Sequence, residues 1–90
     1  MIQVSSPQLQ ELARRMGEHL REGRRRRFPR DTQDDFARRI GVSRYTYHKM
    51  ERGDPSVALR SYLAAAVQLG IERQFADGLS PPTRPFFDDA

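Results

Sequence analysis

From Gln33 to Arg52 the chain reads Gln-Asp-Asp-Phe-Ala-Arg-Arg-Ile-Gly-Val-Ser-Arg-Tyr-Thr-Tyr-His-Lys-Met-Glu-Arg, and the spacing of its large residues leaves few folds open. Phe36 and Ile40 stand four apart and share one helical face, with Val42 just beyond. Tyr47 and Met50 stand three apart and share another. Ala37 is small enough to let a second helix come close. Gly41 can take the positive φ that a tight corner needs. Thr32 suits an N-cap, with Asp35 three residues on as the acid of a capping box. Ser43 suits an N-cap for the second helix. Two short helices folded against each other around a tight turn are predicted over 32–52. That is a helix-turn-helix, the unit that lays its second helix in the DNA major groove.

Ninety residues make one small domain. No cysteine is present, so disulfides and thiolate metal sites are excluded. No apolar run reaches membrane-spanning length, and Met-Ile-Gln-Val-Ser-Ser at the start lacks a secretion pattern. A cytoplasmic protein is expected. The charge is lopsided: residues 1–52 hold thirteen basic and seven acidic side chains, a net of +6. Residues 53–90 hold three basic and five acidic, a net of −2. The first half should attract polyanions. Fifteen of the sixteen basic residues are arginine, Lys49 being the exception. Arginine's planar fork suits phosphates and guanine edges.

The rest of the chain reads as helix too. A first helix should begin at Ser6-Pro7, a cap followed by proline at the first helical position. Leu9, Leu12, Ala13, Met16 and Leu20 form its apolar stripe, and Phe28-Pro29 should stop it. Arg24 to Asp31 is a basic junction. Gly53-Asp54-Pro55 punctuates the end of the helix-turn-helix. A fourth helix is predicted over about Ala58–Leu69, with Leu59, Tyr62, Leu63, Ala66 and Leu69 as its apolar stripe. A short fifth is predicted over about Ile71–Asp77. No strand pattern and no internal repeat is found. The expectation is an all-α, four- to five-helix domain over 1–79 and a proline-rich tail over 80–90. Phe86 and Phe87 in that tail could pack back on the domain or on a second copy.

The segments Met16–Arg24, Thr32–Ala37, Gly41-Val42-Ser43 and Met50-Glu51-Arg52-Gly53 resemble the phage-repressor and xenobiotic-response-element class of helix-turn-helix regulators. Gly53–Tyr62 and Leu69-Gly70-Ile71 are similar to its antitoxin-like branch. The resemblance spans Met16 to Ile71 and implies a compact repressor-like fold that binds double-stranded DNA. Carried over by position, it implies that Gln33 binds a backbone phosphate and that Arg44, Tyr45 and Lys49 face base edges. Ser43 and Arg52 would approach phosphates. Arg24 and Glu51 would form an internal ion pair. Two departures stand out. Seven residues more usually separate the pairing arginine from the glutamine, whereas Arg24 to Gln33 spans nine, so Arg26 is the alternative partner. Tyr47 sits where a branched aliphatic is usual, so its hydroxyl needs a partner or must reach the surface.

From the residues themselves, inward Tyr47 and Met50 leave Arg44, Tyr45, His48 and Lys49 on outward or flanking faces. Arg27 and Arg30, in the basic junction, are expected to contact the DNA backbone. A palindrome-binding homodimer is expected, because one helix reads too few base pairs. Residues 71–90 are the expected contact between copies. Catalysis is the first rival: Asp34 with His19 or His48 could form an acid–base pair. Asp34 and Asp35 fit better as first-turn acids of a helix. No metal, cofactor or enzymatic activity is expected. A second rival is an antitoxin or adaptor that binds a toxin or other partner protein. A third is a basic helix on a membrane or RNA, with Arg24–Arg27 as the contact; a run of this kind is more often a solvated face.

Overall fold

A computed structural model describes residues 6–82, and these form five helices: α1 Pro7–Arg27, α2 Gln33–Ile40, α3 Arg44–Glu51, α4 Leu59–Leu69 and α5 Glu72–Asp77. No strand occurs among the described residues. The helix ends follow from the capping residues. The Ser6 hydroxyl accepts from the Leu9 N–H, and Pro7 occupies the first position of α1. Phe28 closes α1 by donating its N–H to the Arg24 carbonyl, and Pro29 prevents continuation. At α2 the capping box is complete. Thr32 accepts from the Asp35 N–H, and Asp35 accepts from the Thr32 N–H. These bonds from Thr32 hold the Asp35 carboxyl below the usual carboxylate range. Gly41 turns the corner at φ 74°, letting the Val42 N–H reach the Ala37 carbonyl. The Ser43 hydroxyl then caps α3 by accepting from Thr46.

Phe36, Tyr47 and Met50 are the largest fully buried side chains, two of them from α3. The Phe36 ring stacks obliquely between Phe28, at 5.7 Å, and Tyr47, at 5.2 Å. Ala37, Ile40, Leu20 and Ala65 complete the core. One close approach sets the geometry. A Cβ on Gly17 would lie 2.5 Å from the Glu51 carbonyl oxygen and 2.8 Å from the Gly53 nitrogen. A Cβ on Gly53, at φ 79°, would lie 2.6 Å from the Arg14 Cα. Backbone therefore meets backbone where α1 passes the end of α3. A side chain at either position would force main chain to shift.

Three expected core leucines lie outside. Leu12, Leu59 and Leu63 are exposed. On α4 the inward positions belong to Ser61, Ala65 and Ala66, with Tyr62 and Leu69 half-buried. Small residues fill the buried positions of α4, Tyr62 and Leu69 pack against the edge of the core, and Leu59, Leu63 and Val67 face outward. On α1 the residues before Ala13 extend past most of the core. Phe86 and Phe87 lie outside the described residues, as does most of the proline-rich tail. Among the described residues no helix is long and apolar enough to cross a membrane.

Candidate nucleic-acid interface

The inner side of α3 carries a buried polar network. Arg24 reaches from α1 to Glu51, with Nε 2.7 Å from Oε2 and Nη2 3.3 Å from Oε1. Its Nη1 donates to the Asp31 carbonyl. The side chains are 8% and 3% exposed, so the pair is desolvated. Glu51 accepts two further bonds, from the Tyr47 hydroxyl and from Gln33 Nε2 at 2.8 Å. Three side chains, one each from α1, α2 and α3, thus meet on one carboxylate. Burial alone would raise the Glu51 carboxyl, but the bonds from Arg24, Tyr47 and Gln33 outweigh it and hold it low. Burial, reinforced by Glu51, pushes the Tyr47 phenol up.

This arrangement answers two questions from the sequence. Arg24, not Arg26, pairs with Glu51; Arg26 makes an exposed pair with Glu22 one turn back on α1. The extra junction residues are absorbed in the turn around Phe28–Arg30, where the Asp31 N–H returns to the Phe28 carbonyl. The Tyr47 hydroxyl has a partner, its own i+4 neighbour Glu51. The network also engages the Gln33 amide. What Gln33 leaves for an external anion is its backbone N–H, at the first position of α2.

The outer side of α3 has the opposite character. Arg44 and Tyr45 are exposed, Tyr45 to 68%, and His48 and Lys49 are half-exposed. The Lys49 ammonium lies 5.3 Å from the centre of the Tyr45 ring and 3.9 Å from Asp54. Arg44 Nη1 lies 3.7 Å from Asp34 Oδ2, and His48 Nε2 lies 3.2 Å from Asp34 Oδ1. Ser43 is exposed at the start of α3, its hydroxyl bonded to Thr46. Arg52 is exposed at the end.

The basic junction divides its labour. Arg24 is buried and Arg26 is paired, whereas Arg25, Arg27 and Arg30 are exposed and meet no carboxylate among the described residues. Arg39 covers the Phe28 ring at 4.0 Å and is held by Asp31, so it belongs to the core's lid. Sequence reasoning missed Gly17 and the approach of Arg44 to Asp34, whereas the pairing of Asp34 with His48, weighed there as an acid–base pair, is met in the structure at 3.2 Å, and His19 is not part of it. Gly17 sits inside a helical pattern, where a glycine gives no sign of what crosses it. Asp34 read as one of two first-turn acids, and only Asp35 joins the capping box. Among the described residues, no group of three or more histidine, cysteine or acidic side chains could hold a metal. Compared with models of protein families, with curated proteins and with solved structures, the chain matches none.

Proposed function

We propose that the chain is a sequence-specific double-stranded DNA-binding regulator, with α2 and α3 as a helix-turn-helix and α3 as the helix that enters the major groove. The observation that carries this reading is the two-sidedness of α3. Tyr47 and Met50 are fully buried, and Arg44, Tyr45 and Lys49 stand on the opposite side. Three kinds of contact are then available within one short helix: a bidentate fork, a ring and an ammonium. The N–H groups at the start of α2 and the unpaired Arg27 and Arg30 can engage phosphates. The resemblance of Met16–Ile71 to repressor-class regulators points the same way. In this reading the protein is a cytoplasmic repressor.

A second copy completes the site, because an eight-residue helix spans only a few base pairs. The outward face of α4 suits the contact better than residues 71–90. Leu59, Leu63 and Val67 recur every four residues and are 63%, 47% and 60% exposed. Arg60 is the sole charged residue of α4. A two-fold axis sets the same surface patch of each copy against the other, so a nearly uncharged stripe is where two molecules of net charge +4 meet with least repulsion. The same stripe could instead receive a toxin or other partner protein. Light scattering on wild type and on Leu63→Glu tests this: a wild-type dimer made monomeric by the substitution supports the contact, and a wild-type monomer with and without DNA removes it.

Selection from a randomised duplex pool tests DNA binding. The selected duplex should bind at least about 10³-fold more tightly than its scrambled version at physiological salt. Equal affinity for both, or no binding at low salt, overturns the reading.

A further inference from the structure

Asp34 stands apart from the other carboxylates around α3. Asp35 closes the capping box of α2. Asp54 fastens the turn after α3 by accepting from the Ser56 N–H and hydroxyl. Asp34 makes no capping bond among the described residues. Its two oxygens reach across to α3, one to His48 and one to Arg44. Those residues are four apart, so one carboxylate on α2 spans a full turn of the neighbouring helix.

Stability does not account for this placement. All three side chains are more than a third exposed, and exposed pairs contribute little. The helix dipole adds a modest gain that Asp35 already collects. Nor does general attraction to nucleic acid account for it, since a carboxylate among arginines weakens the pull on phosphates. What Asp34 does is restrain two side chains that would otherwise sample many rotamers. In the His48 contact it is Nε2 that faces the carboxylate, and a carboxylate takes its hydrogen bond from the tautomer with the proton on Nε2. Nδ1, which makes no hydrogen bond among the described residues, is left to meet a base edge.

We propose that Asp34 is a positioning residue for sequence readout, and that His48 joins Arg44 as a reader. This rests on the DNA-binding reading above. On a matching site, Arg44 bridges Asp34 and a guanine edge, keeping its carboxylate partner while it reads. On a wrong site, Arg44 gains a phosphate only by leaving Asp34, and the freed carboxylate then faces the phosphates it repels. Asp34 thereby lowers affinity for all DNA and lowers it most for the wrong sequence.

The test compares wild type with Asp34→Asn, which keeps the shape and removes the charge. The probes are the duplex selected by wild type and its scrambled version, titrated from low to physiological salt. Asp34→Asn should bind the scrambled duplex about three- to tenfold more tightly. It should gain less on the selected one, and its salt slope should steepen by up to about 0.9 per subunit. In an Arg44→Gln, His48→Gln background, the loss of discrimination caused by Asp34→Asn should disappear. An unchanged ratio between the two duplexes overturns the proposal, as does a parallel weakening on both with a lowered melting temperature, which would make Asp34 structural. An effect that persists in the double background also overturns it. Wild type that binds neither duplex removes the DNA-binding reading itself, and this proposal with it.

Discussion

The two sides of α3 differ in every respect that matters physically. On the inner side, Arg24, Gln33, Tyr47 and Glu51 are packed at hydrogen-bonding distance in a desolvated seam, beside a glycine–glycine crossing with no room for a methyl group. On the outer side, Arg44, His48 and Lys49 meet Asp34 and Asp54 at 3.2–3.9 Å in water. A helix of eight residues therefore carries one face that fixes its position and another free to exchange partners. The difference teaches that polar residues on a small helix cannot be ranked by charge alone. Arg24 and Arg44 are chemically identical, yet removing the first should take a large share of the domain's stability and removing the second should barely alter it.

The largest expected effect tests that contrast directly. Arg24→Ala leaves Glu51 buried without its cation, and Glu51→Ala leaves Arg24 without its counter-charge and the Tyr47 hydroxyl and Gln33 amide without their acceptor. Either should cost about 3–5 kcal/mol, a large share of what a domain this size has to lose. Arg26→Ala and Arg27→Ala should change stability by less than about 0.5 kcal/mol. Chemical denaturation of the four variants checks the ranking. A large loss at Arg26, or none at Arg24, would break the comparison.

Next come the glycines, which separate close approach from backbone conformation. Gly17 is helical, so alanine there suits the backbone and fails on space, against the Glu51 carbonyl. Gly17→Ala should cost about 2–3 kcal/mol, the upper part of the overpacking range, because the obstacle is main chain. Gly41→Ala meets nothing within 4 Å and has only its φ of 74° against it, so about 1 kcal/mol is expected. Thermal melts of both variants decide this. A reversed order would mean that α1 can slide away from α3.

The network also sets a pH window. The Glu51 carboxyl is held low in the fold, so its contribution is present above the ordinary glutamate range and is lost as pH falls through the folded value. The Tyr47 phenol is pushed up, so its contribution is full below about pH 10 and is lost above it. Stability should form a plateau from about pH 5 to about pH 9 and fall on both sides. Tyr47→Phe keeps the ring against Phe36, removes a bond to a charged group worth about 1.5–3 kcal/mol, and flattens the alkaline limb. Melting curves from pH 3 to 11 check it. An alkaline limb identical in Tyr47→Phe would place that titration elsewhere.

Legibility in the sequence follows the same division. The caps at Ser6, Thr32 and Ser43 and the corner at Gly41 were readable, because each rests on bonds within five residues of chain. So were Phe36, Tyr47 and Met50, where large residues stand out against polar neighbours. The phase of α4 was not readable. Nearly every residue of Leu59–Leu69 is apolar or small, so periodicity offers several inward faces, and only the room left by the ring cluster picks Ser61 and Ala65. Gly17 was silent for a related reason: the residue that needs its missing side chain lies 34 positions away. Asp34 and Gln33 show the limit for site residues. Sequence placed both at the start of α2, while what each touches depends on how α3 is laid across it.

The smallest expected effect on stability is the most telling for function. Arg44→Ala and Lys49→Ala remove side chains whose carboxylate contacts are 3.7 and 3.9 Å long, longer than a hydrogen bond. Each should shift the folding free energy by less than about 0.5 kcal/mol. On DNA the same changes should cost about 1–3 kcal/mol against the selected duplex and relax preference at one base pair each. Arg27→Ala with Arg30→Ala should also leave stability unmoved, but its effect on DNA should be of another kind. Both duplexes should weaken about equally, and the slope of log affinity against log salt should flatten by up to about 2 per subunit, because phosphate contacts carry no sequence information. The two pairs of variants therefore divide the outer surface as the first predictions divide the inner one. If the Arg27 and Arg30 pair lost discrimination with an unchanged slope, the junction would be reading a minor groove as an arm. If Arg44 and Lys49 altered only the slope, α3 would be gripping the backbone, and its two-sidedness would serve affinity instead of readout.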